Sequence, residues 1–231
     1  MKLNNLNISV FLLLLLVFAS CLPVQENFEF QPEVDAEDPF AGGTAWDFIQ
    51  SATQLSEDAT FDGEQFNYLE AAIQKADMVD EFNQTSTTDR TYLLLNNNAF
   101  TGGGDVIAIV TGSDTIGVEA TAVETMERVD TPEKLEKLRT VLKYHIITSY
   151  VDQVPALEER DTWYLFQTLI EGEDGLIALS RDHLWRIDIN KAGAPLPATA
   201  TSQGERVRNH NYIFNNGIGH HLADPVRNQP Y

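Results

Sequence analysis

The chain has 231 residues, 43% of them hydrophobic and 10% aromatic, enough apolar material to build a core. Its 15 Lys and Arg face 35 Asp and Glu, a formal charge of -20, which sets the surface against phosphate backbones and anionic lipid headgroups. A single cysteine excludes an internal disulfide framework and any multi-cysteine zinc site.

Residues 1–20 read as a leader. Lys2 is the only charge before an apolar run from Ile8 to Phe18, too short for a permanent transmembrane helix. Ala19 and Ser20 follow, and then Cys21, the only thiol. This junction resembles the lipobox of bacterial lipoproteins, with Phe18 in place of the more usual Leu. The resemblance implies lipid attachment at Cys21 and cleavage before it. Two or three acyl chains anchor stably where one does not. Leu22, where an inner-membrane lipoprotein would carry Asp, implies the outer membrane of a Gram-negative cell, and the early acidic residues resemble an export signal to its surface. The other reading is an ordinary secretory signal with a chance cysteine.

Residues 21–43 read as a lipidated tether. From Leu22 onward it carries six acidic residues, no basic ones and three prolines, and it ends in Gly42-Gly43. Like charges repel and prolines stiffen, so it holds the following domain off the lipid surface.

Residues 44–231 read as one domain. A short helix is predicted over 44–52, with Trp46, Phe48 and Ile49 inward. A longer one is predicted from Gly63 to Val79, capped by Asp62, with Phe66, Leu69, Ile73 and Ala76 as its stripe. A third starts at Thr131-Pro132 and turns Leu135, Leu138, Leu142 and His145 inward. Strands are predicted over 162–170, 175–180, 183–189, 211–216 and 219–223, with a tight hairpin at Arg181-Asp182 and another at Asn216-Gly217. Helices first and strands later give an α+β fold.

Three stretches resemble the fasciclin domain. They are 66–83 with TYLLLNNNAF (91–100), VLKYHIIT (141–148), and NNGIGHHLADPV (215–226). Thr91, Asn97, Ala99, Phe100, Tyr144, His145, Asn216, Gly217 and His220 fall at matching positions. Leu95 and Thr148 replace prolines, and Asp224 stands one position late. The resemblance implies a β-strand wedge or sandwich with helices round one edge, working as a non-enzymatic adhesion or binding module. It makes Tyr144 and His145 candidate partner-binding residues. Residues 101–130 read as an insertion. Two β-rich runs around Gly112-Ser113-Asp114 suggest an added hairpin, in the kind of loop where relatives diverge in function.

Other chemistry is sparse. His145 lies on an apolar helical stripe, which also fits a structural histidine with one hydrogen-bond partner. His220 and His221 are adjacent on a predicted strand and point to opposite faces, so with His210 and Asp224 they make a poor metal site. No metal and no cofactor is expected. EGEDG (171–175) lacks the alternation of a calcium loop and reads as a solvated turn. Gly102-Gly103-Gly104 lacks the lysine and the strand–helix frame of a phosphate loop. On the strand 162–170, Trp163 and Leu165 face one way and Tyr164 and Phe166 the other. Trp163, Tyr164 and Trp185 are therefore candidates for stacking on a sugar ring, the other reading being core packing. The function expected is a cell-surface adhesion module meeting an extracellular protein or glycan. The alternative is a glycan-binding lipoprotein that serves polysaccharide uptake.

Overall fold

The computed structural model describes residues 42–53, 62–101, 105–112, 121–198, 200 and 203–228. The predicted leader, Cys21, most of the predicted tether and the centre of the predicted insertion lie outside these residues.

Helix α1 spans Ala45–Ser51 and opens on a capping box, with Thr44 and Asp47 satisfying each other's backbone. It buries Trp46, Phe48 and Ile49 as predicted. The next predicted helix is real but shorter, and it is broken. Helix α2 covers Asn67–Lys75 and α3 covers Val79–Asn83. Asp77, in the left-handed region at φ 57°, separates them. Phe66, Leu69, Ile73 and Ala76 are all buried. Asp62 does not cap α2; its carboxylate accepts from Glu64 N in a local turn. The cap comes from elsewhere in the chain. Asn97 Oδ1 accepts from Tyr68 N at 3.1 Å, and its Nδ2 donates to Asp62 O and Asn67 Oδ1.

Strand β1 is Thr91–Leu95, followed by a 3-10 turn over Asn97–Phe100. The inserted region contradicts the hairpin expectation. Residues Val106–Thr111 form helix α4, ended by Gly112 at φ 73°, and Ala122–Met126 form α5 behind a Thr121–Glu124 capping box. The β-branched run VIAIV favours a strand locally. Yet Val106, Ile107 and Val110 share one helical face, and burying that face, with α4 packed on α6, outweighs propensity.

Helix α6, Pro132–Tyr144, carries Thr131 as N-cap and proline in its first turn. Leu138, Val141, Leu142 and Tyr144 are buried and Leu135 is half-buried. The chain then passes through β2 (Ile146–Ile147), β3 (Trp163–Gln167), β4 (Leu176–Arg181), β5 (Ile187–Ile189), β6 (Glu205–Arg206), β7 (Tyr212–Phe214) and β8 (Gly217–Leu222).

These strands form two four-stranded sheets, in the orders β2-β1-β8-β7 and β3-β4-β5-β6. Among the described strands only β1 and β8 run parallel, so a strand from the first half of the chain lies at the centre of its sheet beside the last one. A bridge between Ile147 and Thr168 links the sheets, reinforced by Thr148 N donating to Gln167 O. The fold is α+β, with one continuous core between helices and both sheets.

The tight turns differ from expectation. Residues 183–185 belong to the β4–β5 connection rather than to a strand, and Asp182 N donates to Arg186 O across it. The β7–β8 loop is Asn215-Asn216, and Gly217 already belongs to β8. Gly217 sits at φ 146°, and a Cβ there would lie 2.2 Å from Arg90 O.

Candidate functional site

The three stretches that carry the fasciclin resemblance converge through buried polar side chains. Asn216, fully buried, accepts from Ala45 N at 3.0 Å and donates to Phe82 O and Tyr92 Oη. It thereby ties α1, α3 and β1 to the last hairpin. Thr91 Oγ1 donates to Ser149 O and accepts from Val151 N.

Tyr144 and His145 are both buried. The Tyr144 hydroxyl donates to Leu176 O at 2.8 Å and accepts from Asn190 Nδ2 at 2.9 Å, locking the end of α6 to the second sheet. Burial pushes its pKa up, beyond the range of proton chemistry near neutrality. His145 Nδ1 lies 2.7 Å from Val141 O, and Nε2 accepts from Val226 N at 3.1 Å. Those partners demand the neutral Nδ1–H tautomer, and burial pushes the imidazole down to about 4. Their role as partner-binding residues is therefore corrected. Neither ring presents a surface to a partner, because their polar atoms close the fold.

His220 and His221 point to opposite sides of β8. His220 Nε2 donates to Val151 O, and Nδ1 accepts from Asn211 N. His221 stacks on Tyr212 at 4.3 Å and meets Phe66 edge-on at 4.8 Å. Burial pushes both imidazoles down to about 4. Among the described residues no group of three His, Cys, Asp or Glu side chains is placed to hold a metal ion.

The aromatic candidates separate. Tyr164 and Phe166 pack against the core, and the Tyr164 hydroxyl accepts from Glu159 N. Tyr164 is thus half-buried, with its hydroxyl already engaged. Trp163 and Leu165 lie on the other face of β3. There Trp163 Nε1 stands next to Gly193, 3.5 Å from where a Cβ would be. Cross-strand pairing sets Ser180, Asp188 and Arg206 in the same row. Asp188 is gripped by Arg206 through Nε at 2.8 Å and Nη2 at 3.0 Å, and by Lys191 Nζ at 2.8 Å.

Trp185 stands apart from Trp163, at the tip of the β4–β5 connection. It is 53% exposed, beside Leu184 at 57%. Its backbone is left-handed at φ 63°, an unfavourable conformation for a bulky residue. The tip is nevertheless well braced. Asp182 Oδ1 accepts from Leu184 N at 2.8 Å and from Arg186 N at 2.9 Å, and Oδ2 pairs with the Arg186 guanidinium. Although burial would raise it, these hydrogen bonds hold the Asp182 carboxyl at about 2. The side chain of Gln153 donates to Trp185 O. One face of the indole is backed by Arg181, whose Cζ lies 4.3 Å from the ring centroid. Arg181 is itself buried, with its guanidinium on the carbonyls of Leu157 and Glu158. Gln153 is followed by Val154, 46% exposed. The sequence pattern puts Trp185 within a strand; the turn built on Asp182, held by Gln153 from a distant segment, makes it a tip.

No family model matches the chain, and no curated protein matches it. Among solved structures, the chain is similar to the FAS1 domain pair of the insect cell adhesion molecule Fasciclin I, at 12% identity and a TM-score of 0.45. The match covers 79% of this chain and 50% of that one, so the chain spans half the length of that structure.

Proposed function

We propose that the chain is a non-enzymatic binding module of fasciclin type, anchored by lipid at Cys21 and displayed at the surface of the outer membrane. The observation that carries this reading is the Leu184–Trp185 tip. Large apolar side chains left in water on a strained but braced turn cost stability in the free protein, and they suit a surface completed by a partner. Tyr144, His145 and His220 spend their polar atoms on the fold, which supports recognition rather than catalysis.

The test is attachment of the intact protein to cells and matrix proteins, compared with Trp185→Gly. Loss of attachment in the variant is expected, and equal attachment overturns the reading. Mass spectrometry of the mature N-terminus tests the anchor, with acyl chains on Cys21 expected.

A second reading, glycan capture, is favoured by the outer face of β3. There Trp163 shares a surface with the Asp188, Arg206 and Lys191 cluster, an aromatic ring beside charged hydrogen-bonding groups. Retention on a glycan array that disappears in Trp163→Ala would favour it over adhesion.

A further inference from the structure

Resting on the binding-module reading, we propose that the Trp185 tip receives a basic protein segment, an apolar or aromatic anchor flanked by lysine or arginine. The anchor surface is fixed in advance. The free face of the Trp185 indole, Leu184 and Val154 are exposed, while Asp182, Gln153 and Arg181 hold the turn. Docking there orders little that is not already ordered, which is the condition for a binding hot spot.

The charge of the partner follows from the rim. The segment Asp152–Asp161 runs beside the tip, because Gln153 reaches Trp185 O and Arg181 joins the indole to the Leu157 and Glu158 carbonyls. Along it Glu158 and Glu159 are exposed and make no ion pair among the described residues. Among the described residues Asp152 accepts from Ala156 N and makes no ion pair. The nearby cations are largely occupied. Arg160 stands 3.8 Å from Asp161, Arg186 is paired with Asp182, and Arg181 is buried behind the indole. Across the tip, the His210 ring meets Gln153 and is kept below its ordinary pKa by burial, and Arg208 precedes it as an exposed cation. The unpaired charge on the chain-152–161 side is acidic, and the protein as a whole carries -20. A basic segment is steered in and held, and an acidic one is repelled.

The experiment titrates the intact protein with three synthetic peptides. Each has the same Phe-Leu anchor, flanked by four arginines, four glutamines or four glutamates. The arginine peptide is expected to bind at least tenfold more tightly than the glutamine one. Raising salt from about 0.05 to about 0.5 M should weaken it severalfold. Trp185→Gly, which suits the left-handed backbone and so preserves the fold, should lose binding tenfold or more. Glu158→Gln with Glu159→Gln should remove most of the salt dependence. Equal affinity for the arginine and glutamine peptides overturns the basic partner, while Trp185 dependence would leave the binding-module reading standing. Trp185-dependent binding to phosphatidylcholine vesicles without peptide binding also overturns it in favour of a lipid surface. Unchanged binding by Trp185→Gly overturns the tip as the site.

Discussion

The two sheets use polar and aromatic side chains in opposite directions. In the first sheet and its flanking helices, Asn216, His220, Thr91 and His145 turn inward and satisfy backbone groups of distant segments. At the end of the second sheet, Asp182, Gln153 and Arg181 brace a turn whose apolar residues turn outward. A buried polar group left unpaired costs more than its hydrogen bond contributes, so the first region tolerates little change. The tip loses water exclusion but few mutual contacts, so it can vary without unfolding the domain. Buried polar bonding is concentrated in one region, and the proposed recognition surface lies in the other.

Acidification tests the inward region most severely. His145, His220 and His221 take up protons near 6.5 in the unfolded chain and only near 4 in the fold, so the unfolded chain binds more protons between those values. Their contribution is complete above about 6.5 and is lost as pH falls towards 4, on the order of a few kcal/mol for each imidazole. Asp105 acts in the opposite sense. Burial first, and then the charge of Asp224, raise its carboxyl to about 6, so the fold holds that proton more tightly than the unfolded chain does. It offsets part of the loss between about 6 and 4. Urea midpoints measured across this range should fall with pH; a flat profile would mean that the imidazoles are not sealed as described.

Asn216→Ala should cost about 3 kcal/mol, because it leaves Ala45 N, Phe82 O and Tyr92 Oη without their shared partner. Chemical denaturation measures this loss. A cost no larger than that of an exposed asparagine would remove the contrast between the regions.

Asp182→Ala should cost about 1–2 kcal/mol and loosen the tip, since two backbone N–H groups and Arg186 lose their acceptor. Faster amide exchange at Leu184 and Arg186, with β8 unaffected, is the expected signature.

Trp185→Gly has the smallest effect on stability. Relief of the left-handed backbone should leave the protein unchanged or up to about 1 kcal/mol more stable while binding is lost. A clear destabilisation would show that the indole packs as core, and would weaken the functional division between the two regions.

Much of the helical layer was legible from local signals. Thr44 and Thr131-Pro132 mark true helix starts, and the spacing of Phe66, Leu69, Ile73 and Ala76 gives a true buried stripe. Strand β1 carries no strand period in the sequence, because TYLLL is buried along its whole length and shows no alternation. Strands β2 and β6 are two residues each, too short for any period. The candidate site was less legible. Trp163, Tyr164 and Trp185 are chemically similar in sequence, and pleat direction and turn geometry alone separate core, outer face and tip. Tyr144 and His145 stand out in the sequence, yet their buried partners Leu176, Asn190 and Val226 are far along the chain.

Charge, the apolar N-terminal run with the lone thiol after it and the α+β order of elements follow from composition and short-range pattern, because each depends on residues close together in the chain. The tertiary structure alone decided that Asn97 caps a helix begun some thirty residues earlier, that VIAIV coils rather than extends, and that Trp185 faces water. Each of these outcomes depends on burial or hydrogen bonding with segments that no local period can identify.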